Sequence, residues 1–242
     1  DLAGKINDRT RLIILNSPQN PTGGVVPESD LKAIAEVAVE HNIPVLTDEI
    51  YSRLIYGETF HSITAYDGLE DLIIILDGFS KTYAMTGWRI GYGIMPSDLI
   101  PHFNRLMVNS NSCTAAFTQM AALAALKGPQ DSVAIMREEF RKRRDIIVNG
   151  LNAIPHITCP TPEGAFYAFP NIKNFLGLTD PDSGRTVRTG DDLVEILLDQ
   201  DHVALIGGRA FGDEESFRIS FATSEDVLQQ GLDKIAARLK KL

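Results

Sequence analysis

The sequence predicts an α/β protein. A large unit is built on a doubly wound, mainly parallel sheet, and a smaller α+β unit follows it. Three observations carry this. Residues 11–15, 44–47 and 72–76 are short apolar runs without alternation, as in strands buried on both faces. Between the first two, Leu31, Ile34, Ala35, Val37 and Ala38 recur at helical spacing, as in a crossover helix. From 150 to 162 the character changes to short β-like pieces broken by prolines. The division is placed between a large domain, residues 1–127, and a small carboxyl-terminal domain, residues 128–242.

The elements follow in order. The strand at 11–15 runs into Asn16-Ser-Pro-Gln-Asn-Pro-Thr-Gly-Gly24, a stretch dense in turn formers. Pro21 pushes Asn20 toward an extended backbone, which leaves its amide at the sheet edge; the same residues also suit a plain loop into the next helix. That helix spans 28–41, with Pro27 near its first turn. The strand at 44–47 ends at Asp48-Glu49-Ile50-Tyr51, and residues 57–69 form a polar loop. After the strand at 72–76, residues 89–95 make another. Residues 97–127 read as two helices split near 109–112, and 129–152 as one long helix whose charged face is solvated. In the second unit, 163–169, 203–206 and 217–221 read as strands, 191–200 and 224–242 as helices, and 171–190 as a loop with freedom to move.

Composition excludes several functions. The chain has 242 residues, 44% hydrophobic and 23% charged, the balance of an ordinary globular protein. A net charge of -9 argues against nonspecific nucleic-acid binding and against an anionic membrane surface. No apolar run reaches the length of a membrane span, and the first residues lack a signal-peptide core. The two cysteines, Cys113 and Cys159, have no metal-ligand spacing and read as idle thiols. A cytoplasmic setting, with no metal, is expected.

The chemistry centres on Asp77-Gly-Phe-Ser-Lys-Thr-Tyr-Ala-Met-Thr-Gly-Trp-Arg-Ile-Gly-Tyr-Gly93. In an open α/β sheet, ligands bind beyond the carboxyl ends of the strands. Lys81 stands there and can form a Schiff base with a carbonyl. Ser80 and Arg89 can hold an anion, so the set suits an aldehyde cofactor that carries a phosphate. Asp48, at the next strand end, can accept a proton from a ring nitrogen, and Tyr51 can reach the same ligand. Asp48 also suits a helix cap, and Tyr51 simple packing. Arg218 interrupts a short apolar strand and should face a carboxylate, from the protein or from a ligand.

Together Asn20-Pro-Thr-Gly23, Asp48-Glu-Ile-Tyr51, Ser80-Lys81 with Gly87-Trp-Arg89, and Phe217-Arg-Ile-Ser220 resemble the class I/II pyridoxal-phosphate-dependent aminotransferases of fold-type I. Within the family the chain looks most like its aspartate aminotransferase-like branch. The resemblance implies pyridoxal 5'-phosphate as cofactor, with Lys81 bonded to it and moving the substrate's proton. It implies that Asp48 keeps the pyridine nitrogen protonated and that Asn20 and Tyr51 bind the 3-oxygen. Ser80 and Arg89 would bind the phosphate, and Arg218 the substrate carboxylate. The run Gly164-Ala-Phe-Tyr167 resembles a loop that borders substrate. An amino acid and a 2-oxo acid are the implied small-molecule partners, and a homodimer the implied assembly.

Family members carry well over a hundred residues before the position matching Asp1. The resemblance therefore implies an incomplete sheet, the carboxyl-terminal part of a pyridoxal-phosphate-dependent transferase-like fold. It also implies the loss of a helix N-terminus beneath the phosphate. Two alternatives stay open: a C–S lyase on the same residues, and a non-catalytic aminotransferase-like module. Arg53 and Arg209 are candidates for a second substrate arginine.

Overall fold

A computed structural model of the chain describes residues 1–57 and 59–242; Glu58, in the predicted loop at 57–69, lies outside the described residues. The chain divides into two compact units. One comprises residues 1–18 and 25–135, and the other residues 19–24 and 136–242.

In the first unit the order is β1 (Ile13–Asn16), α1 (Glu28–Glu40), β2 (Val45–Asp48), β3 (Ile73–Gly78), β4 (Gly91–Ile94), α2 (Ile100–Asn111) and α3 (Ala116–Lys127). The four strands form one sheet in sequence order. β1, β2 and β3 run parallel, with Asn16, Asp48 and Leu76 in register at their carboxyl ends. β4 returns antiparallel, pairing Asp77 with Tyr92 and Gly78 with Gly91. The sheet is mainly parallel, as predicted.

Side chains alternate between sheet faces. Ile13 and Val45 point to one face and pack on Leu31, Ala35 and Ala38 of α1, the apolar stripe visible in the sequence. On the other face Ile14 is 68% exposed. The stretch expected as a polar loop carries Ile63 and Leu69, both almost wholly buried. Two isolated apolar residues have no periodicity, so their burial is invisible locally. The predicted strand at 89–95 starts later because Arg89 adopts φ 52°, which no strand tolerates. The Gly78–Gly91 pair needs both glycines: a Cβ on Gly78 would lie 2.9 Å from the Cα of Gly91.

α4 (Asp131–Asn152) follows, and in the second unit come β5 (Tyr167–Ala168), α5 (Gly190–Asp201), β6 (Ile206–Gly207), β7 (Phe217–Ser220) and α6 (Glu225–Leu239). The small sheet has the order β5-β7-β6, antiparallel throughout. Thr189 and Asp192 close a capping box on α5, and Ser224 caps α6. Leu193, Ile196, Leu197, Phe217 and Ile235 form its wholly buried centre. The strand expected over 163–169 shrinks to two residues. Ala165 takes φ 57°, and the amides of Glu163 and Gly164 both donate to the carbonyl of Gly23 instead of to a strand partner.

The stretch at 171–190 is tied down. Gly177 and Val187 share a backbone hydrogen bond of 2.7 Å. Arg238, 4% exposed on α6, reaches Asp180 (2.7 Å), Asp182 (2.8 Å) and Asp201 (2.8 Å). Charge-assisted contacts of this kind explain how a loop rich in Asp, Pro and Gly is held against a helix.

Candidate active site

The parallel register sets the first part of the site. Because β1 and β2 end level, Asn16 and Asp48 sit side by side, and the Asn16 amide donates to the Asp48 carbonyl at 3.2 Å. The carboxylate of Asp48 accepts from the amide of Ile50 at 3.2 Å. That bond turns the chain sharply and buries Tyr51, which is 4% exposed. From the neighbouring β3, the turn after Gly78 brings Lys81 across, so that its Nζ lies 5.8 Å from the centre of the Tyr51 ring. This first unit thus brings together an amine, a phenol ring and the strand end carrying a carboxylate.

Beneath the Lys81 turn, Phe79, Met85 and Ala122 form a buried cluster, packed by Tyr83 and Ile90. Ser80 is half-buried in the same turn. Arg89 is exposed, and its guanidinium donates to the carbonyl of Thr86 at 3.0 Å. Both anion-binding candidates therefore flank the lysine on one short segment.

Behind the strand ends lie two further carboxylates that the sequence reading passed over. Glu49 accepts from the hydroxyls of Ser62 (2.8 Å) and Thr47 (3.2 Å). Asp77 accepts from the Tyr92 hydroxyl at 2.9 Å and from the Gly78 amide at 2.6 Å. Burial pushes both carboxyls above their ordinary range, and their repulsion with Asp48 adds to it. Burial and the bond to Asp77 push the Tyr92 phenol up to about 12. Three acids so close together favour a cation nearby. Their position just past the β2 end and near the β3 end was visible in the sequence, but the β3–β4 register that gives Asp77 its tyrosine is not written locally.

The second unit carries its own candidate residues. Gly23, at φ +69°, closes the Asn20-Pro-Thr-Gly23 turn; a Cβ there would lie 2.5 Å from the Cβ of Pro162. Arg218 on β7 donates to the side-chain oxygen of Asn20 at 2.7 Å. Its guanidinium carbon stands 4.4 Å from the centre of the Tyr167 ring and 4.9 Å from that of Phe211. Rings on a guanidinium hold it by cation–π attraction and leave its in-plane donors for a planar acceptor. No carboxylate among the described residues makes an ion pair with Arg218. Of the two carboxylate sources considered from sequence, the protein's own is thus not seen among the described residues. Phe211 was missed, since a lone aromatic in a glycine-rich turn carries no signal by itself.

The candidate second arginines are engaged elsewhere. Arg209 pairs with Glu214 at 3.2 Å, and Arg53 bonds Gln130 and Tyr83. No cluster of His, Cys, Asp or Glu among the described residues could hold a metal, and no helix among them is long and apolar enough to cross a membrane.

A lysine and a carboxylate at the ends of a parallel sheet, with an arginine flanked by aromatic rings in a smaller α+β unit, define a class of α/β proteins with a fold-type I architecture. The chain belongs to the aminotransferase class I and II family, whose family model matches residues 1–235. It is 41% identical to an aspartate aminotransferase of Rhizobium meliloti over 245 residues, covering 100% of this chain and 59% of that protein. A crystal structure of an aspartate aminotransferase from Rhizobium meliloti matches with a TM-score of 0.94 and 41% identity, over 100% of this chain and 61% of that one. An aromatic aminotransferase from Pyrococcus horikoshii matches with a TM-score of 0.90 and 37% identity, over 99% and 62%. The chain thus spans about three fifths of the length of these relatives. Members of this family use pyridoxal phosphate.

Proposed function

We propose that the chain carries residues of an amino-acid aminotransferase, which moves an amino group between an L-amino acid and a 2-oxo acid with pyridoxal 5'-phosphate. The observation that carries this reading is the Lys81–Tyr51–Asp48 grouping at the ends of β2 and β3, in a chain that matches the family almost end to end. These groups fit the cofactor: an amine for its aldehyde, a carboxylate for its ring nitrogen, and Ser80 with Arg89 for its phosphate. The bound ring supplies an electron sink for the substrate's Cα.

The chain's own residues do the rest. Lys81 would hold the cofactor through its aldehyde and would serve as the base for the substrate's Cα proton. Asp48 would keep the pyridine nitrogen protonated. Asn20 and Tyr51 would be the hydrogen-bond partners of the 3-oxygen. Arg218, with the rings of Tyr167 and Phe211 close against its guanidinium, would bind the substrate α-carboxylate through two donors. Aspartate is the first substrate to try, because the relatives from Rhizobium meliloti are named for it. A homodimer and a cytoplasmic location complete the proposal. The apolar side chains Leu106, Val108, Phe117 and Met120, exposed on α2 and α3, support pairing.

The test begins with pyridoxal phosphate titrated into the chain while its visible absorbance is followed. A band that is lost in Lys81→Ala, with borohydride reduction fixing the label on Lys81, is expected. Amino-group transfer from aspartate to a 2-oxo acid is then assayed, and ammonia or thiol release without an acceptor would point to the lyase chemistry instead. An unchanged band in Lys81→Ala would overturn the assignment.

A further inference from the structure

Arg53 leaves the turn after β2, two residues beyond Tyr51. Its Nη1 donates to the side-chain oxygen of Gln130 at 2.6 Å and to the hydroxyl of Tyr83 at 3.2 Å. Its guanidinium carbon lies 6.0 Å from the centre of the Tyr83 ring. The Tyr83 hydroxyl donates to the same Gln130 oxygen at 3.1 Å. The amide nitrogen of Gln130 donates to the carbonyls of Ala125 (2.9 Å) and Gly128 (2.8 Å), at the end of α3. One side-chain amide just before α4 therefore closes a triangle. Its corners are the turn bearing Asp48 and Tyr51, the turn bearing Lys81, and the α3–α4 junction.

The Lys81 turn rests on the buried cluster of Phe79, Met85 and Ala122, and the clasp meets it at Tyr83. Tyr83 is two residues after the lysine, and its ring stacks on buried Phe79, two residues before, with centres 5.6 Å apart. Backbone bonds in the turn are long: Tyr83 and Met85 both donate to the Phe79 carbonyl at 3.2 Å, and Ala84 donates to the Lys81 carbonyl at 3.3 Å. Ala84 also takes φ 53°, a conformation that costs energy for a residue with a Cβ. A strained turn of this kind persists only where its surroundings hold it.

We propose that Arg53, Tyr83 and Gln130 are positioning residues, a side-chain clasp that sets where Lys81 stands relative to Tyr51 and Asp48. On this assignment Arg53 serves the clasp, its Nη1 shared between Gln130 and Tyr83. The catalytic meaning of the clasp rests on the proposed function, but its existence does not. The decisive measurements therefore need no cofactor.

In the experiment, hydrogen exchange and lysine acetylation are followed by mass spectrometry on the full chain and on the variants Arg53→Ala, Gln130→Ala, Tyr83→Phe and Gln130→Glu. Loss of a hydrogen bond to a charged group predicts about tenfold faster exchange at the amides of Tyr83, Ala84 and Met85 in the two alanine variants. Acetylation of Lys81 relative to the exposed Lys32 should change in the same two variants, by about threefold or more. Gln130→Glu keeps an acceptor for Arg53 and Tyr83, so it should restore the wild-type ratio. Exchange in β1 and β2 should stay as in wild type, which shows that the fold is intact. If an alanine variant fails to fold, Tyr83→Phe, which removes only a hydroxyl, carries the test alone. An unchanged Lys81 ratio with faster exchange confined to residues 125–130 would overturn the proposal and leave Gln130 as a helix cap. Failure of cofactor binding with a normal clasp would count against the aminotransferase reading and not against this one.

Discussion

Arg218 and Asn20, 198 positions apart, are joined by a hydrogen bond of 2.7 Å. The bond links the middle of a two-ring guanidinium cradle to a turn made rigid by Pro21 and Gly23. It holds one donor of the arginine in a defined direction, so that a planar acid arriving opposite meets a fixed partner.

The first prediction follows from that geometry. Arg218→Lys keeps the charge but loses the planar two-point contact and the flat stacking on Tyr167 and Phe211. Two charged hydrogen bonds reduced to one mobile contact should lower kcat/KM for the amino acid about 100-fold. Steady-state kinetics over a range of amino-acid concentrations checks it. A change below about threefold would remove Arg218 from the carboxylate site.

Arg238 is predicted to hold the second unit together. It is 4% exposed, and its partner Asp180 is wholly buried. Removing one member of a buried pair strands the other charge, at a cost of about 3–5 kcal/mol. Arg238→Ala should therefore shift the urea midpoint strongly downward, whereas Arg141→Ala, which removes an exposed pair with Glu138, should leave it nearly unchanged.

The two units should respond to acid in opposite senses. In the second, hydrogen bonds from Lys241 and Arg238 hold the Asp182 carboxyl below its ordinary 3.8. For Asp180, burial works upward but is outweighed by hydrogen bonds from Ser183 and Arg238, so it too lies below 3.8. Depressed folded values mean stability that is present above pH 3.8 and lost as the pH falls through them. In the first unit, burial raises Glu49 and Asp77 from 4.5 and 3.8. Raised folded values mean a contribution present below those ordinary values and lost as the pH rises through the folded ones. Fluorescence of Trp88, the single tryptophan, reads the first unit alone. Its urea midpoint should rise as the pH falls from neutral toward the ordinary carboxylate values, and the rise should flatten in the Glu49→Gln, Asp77→Asn double variant. A midpoint independent of pH in wild type would refute the assignment.

The two thiols should separate cleanly. Cys113 is exposed, whereas Cys159 is buried and burial pushes its thiol up to about 11. Thiolate is the reacting form. A chromogenic disulfide at pH 8 should therefore titrate about one thiol per native chain quickly, and the second only after unfolding. Peptide mapping that finds Cys159 labelled first would contradict the burial.

Much of the fold was legible because its signals are local. The runs at 11–15, 44–47 and 72–76 declare strands, and the stripe of Leu31, Ala35 and Ala38 declares the helix that covers one face; the expected burial of both faces fails at Ile14, which is 68% exposed. Their alternation forces a parallel sheet, which in turn puts Asp48 and Lys81 at strand ends. The short strands of the second unit were overdrawn, because apolar alternation says nothing of a backbone diverted to Gly23. The burial of Ile63 and Leu69 had no periodic signal at all.

The sequence by itself determined the chemical inventory and its order: an amide, a carboxylate, a phenol, an amine and two guanidiniums, each beside an element end. Only the tertiary structure decided the partners: Arg218 with Asn20 and two rings, Arg238 with three aspartates, Arg53 with Gln130 and Tyr83, and Asp77 with Tyr92. Side-chain periodicity of 2 or 3.6 residues reports which face a residue occupies. Which groups meet across that face depends on how distant segments return, and that is set by packing of the whole chain.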